Sequence, residues 1–209
     1  MSKLVDRPLP ELLAEFASAG PTPGGGSAAA LTAAVGLSLV AMVARMPRTK
    51  NGTDEDRQTL KGVLQAVEHL AQHALDLVDD DAAAYDGVVA AYRKPKATEE
   101  QKTERRHAIE AALRGAAEVP LEVMRSCRAG LGAALETAKA GNPSASSDVG
   151  VAVELLGAAL RSAALNVRVN MSSLTETGYI DAVADETSRL ESTAGELAGD
   201  VKAALAQIA

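Results

Sequence analysis

Apolar positions recur along this chain with a helical period, and no stretch alternates apolar with polar residues as a half-buried strand would. A short amphipathic stretch from Leu9 to Ser18 stops at Gly20-Pro21. Beyond Pro21-Thr22-Pro23-Gly24-Gly25-Gly26-Ser27 comes an uncharged run, Ala28 to Ala44. It closes near Met46-Pro47, where proline removes a helical donor and disfavours helix in the residue before it. Thr53, with Asp54, Glu55 and Asp56 behind it, reads as a helix start whose acids sit at the positive end of the helix dipole. That pattern continues to Tyr92 and halts at Lys94-Pro95. Thr98 and Gln101 form a capping-box pair opening the next helix, which Pro120 kinks or divides and Gly141-Asn142-Pro143 closes. Ser147-Asp148 starts another helix to about Met171, and Gly178 precedes a last amphipathic helix reaching the C-terminus. The turns are short, and neither a linker nor an internal repeat divides the chain. The expectation is an all-α fold, a single domain over residues 1–209 built as a bundle of long antiparallel helices.

One position breaks the pattern. Two apolar rows run down the third helix: Leu60, Leu64, Val67, Ala71, Ala74, Val78, Asp81, Tyr85, Val88, Tyr92, and Val63, Val67, Leu70, Ala74, Leu77, Asp81, Ala84, Val88. Asp81 belongs to both rows, whereas Asp79 and Asp80 belong to neither and read as solvated. A carboxylate centred on an apolar stripe is costly without a partner or a purpose, and burial moves carboxyl groups toward the working range of a general acid or base. A structural bond to another helix, or a place in a dimer interface, explains the pattern equally well.

Other candidates are weaker taken singly. Gly24, Gly25, Gly26 and Ser27 open a helix N-terminus that exposes backbone N–H groups to a ligand, although the run fits neither a Walker A loop nor a dinucleotide fingerprint. A tight turn is the bland alternative. Asn166 and Asn170 share an apolar row with Leu156, Ala159 and Ala163, so their amides need buried partners, either a heterocycle or a neighbouring helix. Glu154, Arg161 and Arg168 recur every seven residues and read as exposed ion-pairing positions. His69 and His73 have the i, i+4 spacing of metal ligands but lie on the polar side with Glu68, Gln72 and Asp76; no metal site is expected.

Composition narrows the function. Nearly half the residues are hydrophobic (47%), yet aromatics make up only 2%, so Ala, Leu and Val must build the core through close helix approach. A formal charge of −7 argues against a nucleic-acid partner. The lone Cys127 rules out an internal disulfide framework and reads as a small buried residue. Met1 to Pro10 carries both charges and two prolines, unlike a signal peptide, which points to a cytoplasmic protein. The Ala28–Ala44 run is short for a membrane span and rich in Ala, Gly, Ser and Thr, so a buried central helix is expected.

Together these stretches resemble one family. Pro21-Thr-Pro-Gly-Gly-Gly-Ser27 before an Ala-rich helix is similar to the opening of the cyclodeaminase/cyclohydrolase family. That family includes the C-terminal domain of formiminotransferase-cyclodeaminase and free-standing methenyltetrahydrofolate cyclohydrolases. Val78-Asp-Asp-Asp81-Ala-Ala-Ala-Tyr85 resembles its Asp-Ala-x-Ala-Phe segment, with Tyr85 in place of the commoner Phe. Tyr92-Arg-Lys-Pro-Lys-Ala-Thr98 is similar to its basic turn. Ser147-Asp-Val-Gly-Val151 and Ala164-Leu-Asn-Val-Arg-Val-Asn170 resemble its late signature. Met46-Pro47-Arg48 departs from the family pattern and puts the path around Arg48 and Lys50 in question.

The resemblance implies a homodimeric all-α enzyme that binds a tetrahydrofolate derivative as substrate, with no metal and no permanently bound cofactor. It implies Asp81 as the acid–base group, and it implies substrate contacts from Pro23, Gly24, Gly25, Gly26, Ser27, Arg93, Lys96, Asp148, Asn166 and Asn170. The expected reaction is hydrolysis of 5,10-methenyltetrahydrofolate to 10-formyltetrahydrofolate. Cyclodeamination of 5-formiminotetrahydrofolate and a non-catalytic helical binding role stay open at this level.

Overall fold

The computed structural model describes residues 3–48 and 50–207; Met1, Ser2, Thr49, Ile208 and Ala209, including both ends of the sequence reading, lie outside the described residues. Among the described residues six α-helices follow one another: α1 (Leu9–Phe16), α2 (Gly25–Ala44), α3 (Asp54–Tyr92), α4 (Glu99–Ala140), α5 (Ser146–Met171) and α6 (Thr177–Ala206). Short 3-10 turns, Leu4–Asp6 and Pro143–Ala145, precede α1 and α5.

Two of the polar start signals act as expected, whereas α5 opens at Ser146 with no side-chain cap, and Gly178 lies inside the first turn of α6. Thr53 accepts the Asp56 N–H at 3.0 Å while the Asp56 carboxylate accepts the Thr53 N–H at 2.9 Å. Thr98 and Gln101 make the same reciprocal pair at α4. Each box satisfies first-turn donors that a helix leaves without partners. Pro120 departs from expectation in one respect: it sits buried inside an unbroken α4 and does not divide it. Proline lacks only its own N–H and crowds the carbonyl one turn back, so packing on both sides can hold a continuous helix.

Arg48 resolves the departure after α2. Its guanidinium donates to the Gly141 carbonyl at 3.0 Å and to the Lys139 carbonyl, the unpaired acceptors at the end of α4. Gly141 also pairs with Pro47, and the Asn142 N–H donates to Met46. This segment is a helix stop tied to a neighbouring turn. Lys50 is exposed.

Helices α2, α4 and α5 meet in the core, with α3 and α6 packed outside them. Leu37, Leu121, Met124, Leu131, Leu156 and Leu160 are fully buried, each contributing roughly 1.5–3 kcal/mol by leaving water. Small residues make the close approach possible: a Cβ on Gly130 would lie 2.6 Å from the Leu37 side chain. Helix α2 is long and apolar enough to cross a membrane, but it packs against α3, α4 and α5 at once and buries most of its residues. Cys127 lies in the same core, and burial pushes its thiol up to about 12.

Two of the three charges recurring on α5 pair across helices. Glu154 meets Lys202 at 2.8 Å and Arg168 meets Glu191 at 2.6 Å, both on α6. His69 and His73 are exposed, with His73 Nε2 3.7 Å from a Glu122 oxygen.

Candidate active site

A helix that begins with Gly24 at its N-cap has no side chain of its own to cap it. Asp81 supplies the missing group from α3. Its Oδ2 accepts the Ser27 N–H at 2.8 Å and lies 2.8 Å from the Ser27 hydroxyl, which also donates to the Val78 carbonyl at 2.9 Å. Ser27 is fully buried, whereas Asp81 is half-buried.

Gly26 decides where that carboxylate can lie. A Cβ there would stand 2.0 Å from Asp81 Oδ1 and 2.6 Å from its carboxyl carbon, so no residue with a side chain fits without moving Asp81. At Gly25 the nearest atom would be Asn166 Nδ2 at 3.5 Å, an ordinary contact. The two glycines therefore differ in kind: one seats the carboxylate, and the other has room for a side chain.

Asp81 lines a cleft of about 320 Å³, the size of a small-ligand pocket. Gly24, Gly25 and Gly26 form one wall, Ala84, Tyr85 and Val88 continue along α3, and Asn166, Val169 and Asn170 face them from α5. Pro21, Thr22 and Ala116 complete it. The cleft is apolar for most of its lining, and Asp81 and the two amides are among its polar groups.

Both amides are committed in the same sense. Asn166 Nδ2 donates to the Ser162 carbonyl at 3.0 Å, and Asn170 Nδ2 donates to the Ala116 carbonyl at 2.6 Å. A carbonyl only accepts, so each amide must turn its nitrogen to it. The two side-chain oxygens have no donor among the described residues and remain as acceptors.

Several expected contacts fall elsewhere. Asp148 stands in the first turn of α5, 18 residues before Asn166, or about 27 Å along the helix, too far to join this cleft. Pro23 is buried behind the loop, while Pro21 and Thr22 form the lining. Ser27 acts through Asp81 rather than on the cleft surface. Arg93 caps the end of α3 and is exposed, about 18 Å along that helix from Asp81. Lys96 borders a separate basic depression with Lys102, Arg105 and Arg106. Asp79 is not merely solvated: it accepts the Leu4 N–H at 2.6 Å and the Val5 N–H at 3.4 Å.

Tyr85, Val88, Ala116 and Val169 entered the site unannounced as lining. Tyr85 and Val88 carried a usable signal, since they lie on the same row as Asp81 one and two turns further on. Ala116 had none, because only the meeting of α4 with α5 makes it part of the wall.

Comparison with known proteins places the whole chain rather than single residues. Residues 8–189 match the family described as formiminotransferase-cyclodeaminase. The chain is 41% identical over 182 residues to the methenyltetrahydrofolate cyclohydrolase of Methylorubrum extorquens, covering 87% of this chain and 88% of that protein. It is 32% identical over 173 residues to the formimidoyltransferase-cyclodeaminase of Rattus norvegicus, covering 83% of this chain but only 32% of that longer protein. Its fold superposes on the crystal structure of formiminotetrahydrofolate cyclodeaminase from Thermotoga maritima with a TM-score of 0.87, 26% identity and 98% coverage of both chains.

Proposed function

This chain belongs to the formiminotransferase-cyclodeaminase family of folate one-carbon enzymes, and on that premise we propose that it hydrolyses 5,10-methenyltetrahydrofolate to 10-formyltetrahydrofolate. The observation that carries this reading is the Asp81 carboxylate, held through Oδ2 by Ser27 while Oδ1 keeps no donor among the described residues in a mostly apolar cleft.

The substrate is a delocalised amidinium cation, which a carboxylate in a weakly polar cleft attracts. Water attacks the methenyl carbon as Asp81 takes its proton, giving a neutral carbinolamine. The bond from that carbon to N5 then breaks, N5 receives the proton back from Asp81, and the hydroxyl becomes the formyl carbonyl as its proton leaves to solvent. The acceptor oxygens of Asn166 and Asn170 suit the N–H groups of the pterin's amino-pyrimidone edge. The cleft runs from Asp81 along α3 toward Arg93 and Lys96, so an anionic glutamate tail would leave in the direction of that basic turn. The folate enters as the substrate, with no resident cofactor or metal in the scheme.

Ring closure with loss of ammonia is the second reading, favoured by the fold match to a formiminotetrahydrofolate cyclodeaminase. There N10 attacks the formimino carbon and Asp81 protonates the departing nitrogen. Purified protein incubated with each folate, followed at the methenyl chromophore, separates the two. Faster decay of the methenyl compound than the spontaneous rate, without ammonia from the formimino compound, is the expected result. Ammonia release with no accelerated decay would reverse the assignment.

Assembly and location belong to the same proposal. Val151, Leu165 and Val169 fall on one face of α5 with half or more of their surface exposed, and Val35 and Met42 lie exposed on α2. Covering this apolar face with a second copy makes a homodimer. A Leu165→Glu chain that runs as a monomer by light scattering, beside a dimeric unaltered chain, is the expected outcome. The buried, unpaired Cys127 fits a reducing, cytoplasmic setting.

A further inference from the structure

Pro120 has no N–H, so the Ala116 carbonyl one turn earlier in α4 loses the donor that a regular helix would supply. Such a carbonyl, buried without a partner, is costly. Asn170 of α5 takes it, with Nδ2 at 2.6 Å. Ala116 is buried and both residues line the cleft, so the bond is made at the site itself. An amide held in this way cannot turn over, because its oxygen would then face another acceptor.

We propose that Pro120 is a positioning residue for substrate binding. By withholding its N–H it leaves the Ala116 carbonyl to Asn170, and this locks the Asn170 amide with its oxygen free to accept an N–H from the heterocycle. Asn166, tied to Ser162 one turn back, presents the same polarity. The pair thus selects the donor edge of the ligand, the side carrying a ring N–H beside an amino group, over an edge of acceptors. The inference rests on the folate reading above and adds to it the cause of the site's polarity.

The test compares the full chain with Pro120→Ala, Asn170→Ala, Asn170→Asp and the Pro120→Ala/Asn170→Ala double variant. Turnover of 5,10-methenyltetrahydrofolate gives kcat and KM, and calorimetric titration with 5-formyltetrahydrofolate, a stable folate with the same edge, gives Kd. Pro120→Ala restores a peptide N–H that competes for Ala116. The expected result is a KM and Kd raised roughly three- to tenfold, the scale of one neutral hydrogen bond, with kcat held within about twofold. In the Asn170→Ala background the same change has no further effect, as coupling through one bond requires. Asn170→Asp keeps acceptor oxygens but cannot donate to Ala116, so it weakens binding as Asn170→Ala does. It decides the question even if Pro120→Ala fails to fold.

Wild-type affinity in a folded Pro120→Ala chain overturns the proposal, and so does wild-type affinity in Asn170→Asp. So does a Pro120→Ala effect that persists undiminished without Asn170, since that would be a packing effect. An unaltered chain that binds and turns over no folate removes the folate reading itself, a separate failure.

Discussion

Asp79 and Asp81 stand two positions apart on α3, and each receives backbone N–H groups from the start of another helical segment. Asp79 holds the turn Leu4–Asp6 with both oxygens, Oδ1 to Leu4 and Oδ2 to Val5. Asp81 holds α2 with Oδ2 alone. Two steps along a helix turn a side chain by about 200°, so the two carboxylates serve opposite flanks of α3. One has both oxygens engaged in structural bonds. The other keeps an oxygen beside the cleft, and that spare acceptor distinguishes a cap from a group able to move a proton.

The largest expected effect tests this distinction directly. Asp81→Asn keeps an acceptor for the Ser27 N–H but cannot take a proton, so turnover should fall by about 10²–10⁴-fold while circular dichroism stays unchanged. Asp79→Asn should leave kcat within about twofold. Equal losses in the two variants would erase the comparison.

Gly26→Ala comes next. Its Cβ would meet Asp81 Oδ1 at 2.0 Å, and a displacement of about 1 Å at a reacting group can cost roughly 10²-fold in rate. Gly25→Ala meets nothing closer than 3.5 Å and should change kcat by no more than about threefold. Steady-state kinetics on the two neighbours shows whether the carboxylate's seat or the loop's general openness matters.

Asp79→Ala should act on stability instead. Losing a cap costs about 1 kcal/mol, read from the midpoint of urea unfolding, with turnover retained. A chain that unfolds normally but loses activity would place Asp79 in the site.

The smallest effect concerns a carboxylate with purely structural partners. Arg125 donates to Glu186 at 2.7 and 2.8 Å and holds its carboxyl below the usual range. The folded value is depressed, so the bond contributes stability above the unfolded pKa and loses it as pH falls through the folded one. Acid unfolding curves of Arg125→Met should therefore lose part of their slope below about pH 4.5. The pH profile of turnover should not change. A shifted turnover profile would tie this pair to the cleft.

Asp81 was legible in the sequence because a charge on two apolar rows conflicts with the pattern around it. Asp79 was not, because a residue off those rows reads as solvated whether or not a distant turn uses it. Asp148 stood in a motif similar to the family's, yet a straight helix carries it about 27 Å from Asn166. Pro120 was read as an interruption, and its consequence lay on another helix. The path around Arg48 was in question, and its guanidinium proved to cap the end of α4.

The sequence by itself determined most of the helix limits, that the helices form an all-α core of small residues, and which acid sits against the pattern. These properties depend on interactions within a turn or two: caps, proline, and periodic burial. Only the tertiary structure decided that Gly26 makes room for Asp81, that Asp81 caps α2, and that Asn170 answers the carbonyl Pro120 leaves open. Those pairings join residues 50 or more positions apart. Their register is set by how whole helices pack, which no local pattern encodes.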